Sequence, residues 1–387
     1  MAGTLTAESA IRGDAISRAT PASRLLSLDA FRGMTIAGMI LVNNAGNWDA
    51  VWWPLDHAKW NGWTPTDLIF PFFLFIVGVS MVLSFEARRR RGATRASLMR
   101  HVVKRSIIIY AIGFALALWA KHWNVHTVRF YGVLARIAVV YLLSSAIVLY
   151  CGRKTRAVLG VTALVGYWLL MTRIPGFDLS IDGNLAGYID RKLLYEHLWI
   201  KHRFDPEGLL STIPAVVTTL IGVFAGEWLK RSSADGRQTA RSISTVQGLL
   251  IAGGVMMAAG AAWHVWFPIN KNLWTSSYVL FTGGFAMALL AVCYWAIEMR
   301  RWKMLARPFV WYGSNAIVLF AGSTALGIFS TIYRVSSGMT YKGWVYGSLF
   351  APAASPMVAS AMYGMAYVIL FGIVAWAMYR AKIFVKI

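Results

Sequence analysis

An all-α, polytopic membrane helix bundle of about ten transmembrane helices, with N-terminus and C-terminus cytoplasmic, is the fold class that the sequence predicts. Of the 387 residues, 58% are hydrophobic and only 14% charged, an apolar share beyond that of a soluble domain. Apolar runs of about 20 residues, the length a helix needs to cross a bilayer, recur along nearly the whole chain. The uneven placement of Lys and Arg then sets the orientation.

The runs fall at about 30–46, 66–85, 106–120, 131–150, 157–173, 209–229, 246–266, 276–297, 309–331 and 357–379. The first closes at Asn43-Asn44 before Gly46, which reads as a helix C-cap. The second opens at Thr64-Pro65-Thr66-Asp67, with Thr64 as N-cap, Pro65 in the first helical position and the Asp67 carboxylate at the free backbone N–H groups. Pro71 lacks an N–H and so frees the Asp67 carbonyl, predicting a polar pocket at the entrance to that helix. The third run is short and follows a basic segment; the fourth carries Arg136 a few residues in. Between the fifth and sixth lies the long loop 174–208, whose Asp178, Asp182, Asp190, Glu196, Asp205 and Glu207 nearly balance its four basic residues; it is expected to cap the outer mouth. An outer turn holding Lys271, flanked by Asn270 and Asn272, joins the seventh and eighth.

With the N-terminus inside, the cytoplasmic segments 1–29, 86–105, 151–156, 230–242, 298–307 and 380–387 hold 25 of the 38 Lys and Arg, against 10 in the opposite set. Arg88 to Arg91 with Arg95, Arg100, Lys104 and Arg105 make the strongest contribution. The net charge of +22 is spread over six segments and forms no nucleic-acid-binding module. Anionic headgroups of the lipid bilayer account for most of it. Cys151 at a helix end and Cys293 inside a span suit no structural disulfide. Residues 1–27 lack the apolar core of a cleavable signal; they read as a disordered cytoplasmic tail or, on composition, an organellar presequence, with a transmembrane domain over 28–387.

His57 lies in LDHAKWNGWTPTDLIFPFFLFIVG, a polar patch between two membrane-length runs and, by charge, on the outer face. Imidazole titrates near neutrality and can take a proton from an amine and return it to a leaving group. Asp56 or Asp67 can orient it, while Lys59 opposes its protonated form. The plainer reading is a half-wet interfacial histidine. Trp48, Trp52, Trp53, Trp60 and Trp63 suit an aromatic belt or a stacking surface for a sugar ring, and an amide of Asn43 or Asn44 can polarise a carbonyl.

These strings resemble a known family. Arg24-Leu-Leu-Ser-Leu-Asp-Ala-Phe-Arg-Gly33, Asn43, His57-Ala-Lys-Trp-Asn-Gly62 and Asp67-Leu-Ile-Phe-Pro71 resemble the heparan-α-glucosaminide N-acetyltransferase family and its bacterial relatives of the NagX type. The likeness continues through Arg129-Phe-Tyr-Gly-Val-Leu-Ala-Arg136, Asp205-Pro-Glu-Gly-Leu-Leu-Ser-Thr212, Pro268-Ile-Asn-Lys-Asn-Leu-Trp274 and Gly313-Ser-Asn315. It implies a transmembrane acyltransferase that takes acetyl from cytosolic acetyl-CoA, without a metal, and delivers it to the amino group of glucosamine or a glucosamine-containing glycan outside. The family's essential histidine matches His57 and its site asparagine Asn43, with Asp67 the third expected catalytic group. Arg136, Arg105, Asn315 and Asn272 are the candidates for holding the cosubstrate, and Lys271, Asn61, Trp60 and Asp56 for the acceptor. Two departures stand out: no counterpart of the large lumenal N-terminal domain of the animal enzymes is expected, and the gap from Asn43 to His57 is a few residues longer. The expected setting is a bacterial inner membrane, His57 facing the periplasm, with a homodimer plausible from the broad apolar exterior. The competing reading is an amino-sugar or oligosaccharide transporter using the same outer pocket.

Overall fold

The computed structural model describes residues 25–199, 203–233, 238–335 and 338–385; the expected N-terminal tail lies almost wholly outside them. The described residues are helical, with only two isolated bridges, Asp178 with Asn184 and Arg334 with Thr340. The long helices are α1 (Leu26–Asn43), α2 (Pro65–Arg89), α3 (Arg95–Ala120), α4 (Val133–Tyr150) and α5 (Arg153–Arg173). After the short α6 (Leu185–Leu194) come α7 (Thr212–Ser233), α8 (Gln238–Trp263), α9 (Ser276–Tyr294), α10 (Lys303–Ser314) and α11 (Ala316–Ile332). The short α12 (Tyr341–Val345) and the long α13 (Pro356–Arg380) complete the order. Among the described residues, eight helices are long and apolar enough to cross a membrane, and nine if the α10–α11 pair, bent by 72°, is one span. The protein is integral to a membrane.

Each of the ten expected runs has a helical counterpart, with three corrections. The first run corresponds to α1, which carries Asp29 and Arg32 and is not among the eight. Arg32 is not left bare in the bundle: its guanidinium donates to Asp29 at 2.9 Å and to Ser80 Oγ at 2.7 Å, the partnering that an intramembrane arginine requires. The third run is not short. Thr94 caps it by accepting from Ser97 N–H, so α3 takes in eleven residues that were read as loop and reaches about 39 Å at 1.5 Å per residue. Arg105 consequently sits almost three turns inside a helix, its guanidinium 5.0 Å from the Tyr141 ring centre. The ninth run breaks at Asn315, and the α10 side of the break is amphipathic, burying Ala306 and Val310 while Met304 and Leu305 stand exposed.

Helices α2 and α7 form the buried centre, touching through small residues. A Cβ on Gly78 would lie 2.0 Å from the Thr219 carbonyl oxygen, and one on Gly222 2.0 Å from that of Phe75. Close backbone approach of this kind is how membrane helices gain packing without a hydrophobic driving force between them. Gly78→Ala is therefore expected to destabilise the protein by about 1–3 kcal/mol. Gly166→Ala, where a Cβ meets nothing within 4 Å, leaves stability unchanged; thermal melting in detergent compares the two.

The connections sort into two ends. At one, Lys230 pairs with Glu86 at 2.7 Å, Arg156 with Glu227 at 2.7 Å, the Ser27 N–H donates to Glu298, and the Asn315 amide holds the Ile383 carbonyl. These are segments expected on the cytoplasmic side, and both ends of the described chain meet there. At the other end, Gly62 N–H donates to Ile269 O at 2.8 Å, Trp60 Nε1 to Leu179 O at 2.8 Å, and Asn47 N–H to Ser360 Oγ at 3.0 Å.

Candidate active site

His57 reaches its place because the chain between α1 and α2 folds back over the start of α2. Thr64 and Asp67 form a reciprocal capping box with Pro65 in the first turn, as the local sequence predicts. The two carboxylate oxygens of Asp67 divide the work. Oδ2 accepts from Ala58 N–H at 3.0 Å and from Thr64 N–H at 3.1 Å, which pins the loop. Oδ1 lies 2.7 Å from His57 Nδ1 and 3.4 Å from Lys271 Nζ. An ionised carboxylate only accepts, so it holds a proton on Nδ1 and leaves Nε2 as the basic nitrogen. The His57 side chain is 47% exposed while Asp67 is 1% exposed: a fixed carboxylate behind, an open imidazole in front. Of the two acidic candidates, Asp67 is the partner of the ring, and Asp56 accepts instead from the His57 backbone N–H.

The carbonyl that Pro71 frees does not meet a wet pocket. The Tyr278 hydroxyl, fully buried on α9, donates to Asp67 O. The orphan acceptor is thus satisfied from inside the protein, tying α9 to the first turn of α2.

Lys271 arrives on the turn between α8 and α9. Asn270 builds it, accepting at Oδ1 from Leu273 N–H at 2.9 Å and donating from Nδ2 to Asn61 Oδ1 at 3.1 Å. Trp274 ends it in the left-handed region at φ 51°, fully buried, its indole N–H donating to Thr218 Oγ1 at 3.1 Å. Lys271 Nζ then stands 3.0 Å from His57 Nδ1 and 3.3 Å from Nε2. Burial pushes the Lys271 ammonium below the usual lysine range, although the charges of Asp67 and Glu207 pull the other way.

Behind Lys271 lies a buried charge network that sequence reasoning missed as a site. Arg129 donates from Nε to Asp205 Oδ2 at 2.8 Å and from Nη2 to Glu207 Oε2. Burial alone would lower the Arg129 pKa, but the charges of Glu207 and Asp205 hold it above the usual arginine value. Burial would likewise raise Glu207, and Arg129, Arg136 and Lys271 outweigh it. Arg136 is fully buried; Nη2 donates to Gly208 O at 2.9 Å and to Ser211 Oγ, the guanidinium lies 5.1 Å from the Trp274 ring centre, and Nε and Nη1 have no partner. The strings holding Arg129 and Asp205-Pro-Glu207 were the available signal, but nothing local said that they pair.

Asp190 on α6 belongs to the same region, accepting from Leu209 N–H at 2.9 Å. Burial raises its pKa to about 6, with repulsion from Asp205 adding to the shift and Arg136 opposing it. A carboxyl whose folded pKa exceeds its unfolded value stabilises the fold below the unfolded pKa and loses that contribution as pH rises through the folded one. Hydrogen-exchange protection in residues 182–199 and 203–209, corrected for the intrinsic pH dependence of exchange, is therefore expected to fall between about pH 4 and pH 6, and Asp190→Asn to flatten that dependence.

The remaining candidates divide. Trp60 is half-buried, its indole N–H on Leu179 O and its ring 5.2 Å from Phe204, turned to the outer loop. Asn61 supports the Lys271 turn. Asn43 is exposed at the end of α1, and no contact joins it to His57; the neighbouring Asn44 is buried with Nδ2 on Ile40 O at 2.8 Å. Asn272 is half-buried beside Lys271 without touching the ring. Asn315 lies at the opposite end of the bundle, both polar atoms of its amide on the backbone of Ile383 and Val385. Arg105 is likewise remote from His57.

Residues 24–256 match the family model described as heparan-alpha-glucosaminide N-acetyltransferase, catalytic. The chain is 27% identical over 427 residues to the heparan-alpha-glucosaminide N-acetyltransferase of Mus musculus, covering 96% of this chain and 62% of that protein. It is 27% identical over 420 residues to the protein of the same name from Homo sapiens, covering 94% and 60%. The chain thus spans about three fifths of the length of these relatives.

Proposed function

The chain belongs to the heparan-alpha-glucosaminide N-acetyltransferase catalytic family, and from that premise we propose that it moves acetyl from acetyl-CoA to the amino group of glucosamine or a glucosamine-containing glycan, with His57 as general base. The observation that carries this reading is the Asp67–His57 pair: a buried carboxylate 2.7 Å from Nδ1 of an exposed imidazole. In the neutral ring such a pair holds the one N–H on Nδ1 and leaves Nε2 as the nitrogen that can take a proton from an incoming ammonium.

In this mechanism the acceptor amine, relieved of its proton by His57 Nε2, attacks the thioester carbonyl. The C–N bond forms as the C–S bond breaks, the imidazolium returns the proton to the departing thiolate, and the second ammonium proton passes to solvent as the amide forms. The developing oxyanion needs donors. Arg136 offers two unpartnered N–H groups from a fully buried side chain, and leaving such donors unpaired costs about 1–3 kcal/mol each, so the site favours an occupant that accepts from them. The family resemblance assigns a further role to Asn43. In the membrane, the end carrying Glu86, Glu227 and Lys230 faces the cytosol and His57 the periplasm of a bacterial inner membrane. The acyl donor then arrives from the basic end, past Arg105.

The test is direct. Purified protein supplied with acetyl-CoA and glucosamine is expected to release free CoA thiol and N-acetylglucosamine together. A wild-type protein that binds no acetyl-CoA overturns the reading. Accumulation of intact sugar in proteoliposomes without acetyl-CoA puts a transporter in its place.

A further inference from the structure

We propose that Lys271 is itself an acetyl acceptor: when no amino sugar occupies the site, the protein transfers the acetyl group of acetyl-CoA to its own Lys271 Nζ. This rests on the acyltransferase reading above and adds a covalent modification site to it.

The geometry supplies what amine acylation needs. A primary amine must stand beside the general base, and Lys271 Nζ lies 3.0 Å and 3.3 Å from the two ring nitrogens of His57 and 3.4 Å from Asp67 Oδ1. The amine of an acceptor sugar has to come to the same nitrogen, so Lys271 occupies the acceptor position from within the chain. It is held there: the turn is built by Asn270 and closed by the buried Trp274, and the Lys271 side chain is only 16% exposed. Desolvation by that burial favours the neutral, nucleophilic form of the amine. The step balances. His57 Nε2 takes one proton from the Lys271 ammonium, Nζ attacks the thioester carbonyl, the C–N bond forms as the C–S bond breaks, and the thiolate leaves with the proton from His57. The second ammonium proton passes to solvent as the amide forms. Acetylation removes the positive charge beside Asp67 and Glu207 and fills the space an acceptor would use, so the modified protein is expected to be inactive toward sugar.

The experiment incubates the full-length purified protein with labelled acetyl-CoA and no amine acceptor, and maps acetyl groups by peptide mass. One label is expected on Lys271, forming about tenfold or more faster than on the exposed Lys59 and Lys303, and slowed about a hundredfold by His57→Ala. Glucosamine in excess is expected to suppress it by competition. Lys271→Arg keeps the positive charge next to Asp67 and is expected to lose the label while melting at the wild-type temperature. Label at equal rates on all three lysines, or unchanged in His57→Ala, is chemical acetylation and overturns the proposal. A preparation that acetylates glucosamine but leaves Lys271 unlabelled overturns it alone. One that does neither overturns the acyltransferase reading with it.

Discussion

Replacing His57 with Ala is expected to lower kcat/KM for acetyl transfer to glucosamine by about a hundredfold to ten-thousandfold, the contribution of a positioned general base. Nothing else at the site can take over its task. Asp67 is 1% exposed with its oxygens already engaged, and the Lys271 amine is held against Asp67 Oδ1. The loss should appear in kcat with acetyl-CoA binding retained, because the ring lies on the acceptor side of the site. The fold should tolerate the change, since the His57 side chain is about half exposed and caps no helix. Release of CoA thiol measures it, and activity within about threefold of wild type removes His57 from the chemistry.

Asp67→Asn is expected to cost nearly as much, for a different reason. The isosteric amide keeps one acceptor oxygen but brings an NH2 group to the place of the other. If that NH2 faces His57 Nδ1, the imidazole must accept there and carry its proton on Nε2, the wrong tautomer for a base, which costs about ten-thousandfold in a comparable carboxylate–histidine pair. If it faces Ala58 and Thr64, the loop loses its two N–H anchors and the N-cap with them, about 1 kcal/mol. The two backbone N–H donors at Ala58 and Thr64 hold the amide oxygen on their side, so the first orientation prevails and kcat falls by orders of magnitude while the melting temperature moves little. The opposite pattern, a large melting shift with kcat intact, would leave Asp67 as a helix cap and nothing more.

The cap and the dyad differ in how far the sequence could reveal them. Thr64, Pro65 and Asp67 are neighbours, and their capping geometry follows from local spacing alone. The same holds for the ten apolar runs, each of which has a helical counterpart. Pairings across the bundle are different: Lys271 meets His57 across 214 positions, and Arg129 meets Asp205 across 76. In a single sequence each is one polar residue near a helix end, and only the packing of α2, α7 and α9 brings them together. Lys59, two residues from His57, and Lys271 on its outer turn are both cations the sequence offers; the fold brings Lys271 to the ring. The Asp67 carbonyl shows the same limit. Pro71 disclosed that it was free, but not that a buried tyrosine 211 positions away would fill it. Arg105 belongs to a basic run that in sequence looks like a connection between spans, yet it lies within α3. Once Thr94 starts the helix, the residues after it are the first turns of a helix longer than the bilayer is thick.

Trp274 restricts what evolution can do at the end of the Lys271 turn. Its backbone lies at φ 51°, where glycine is the residue at ease, yet its side chain is fully buried against Phe70, Tyr278 and Arg136 and holds Thr218. Glycine would relieve a strain of about 1–3 kcal/mol and open a void costing about 3–5 kcal/mol. Phenylalanine would fill much of the void, keep the strain and leave the Thr218 hydroxyl unanswered. No single step from tryptophan improves both, so this position is an isolated peak: the turn that presents Lys271 to His57 can be lost by mutation at Trp274 far more easily than it can be refined.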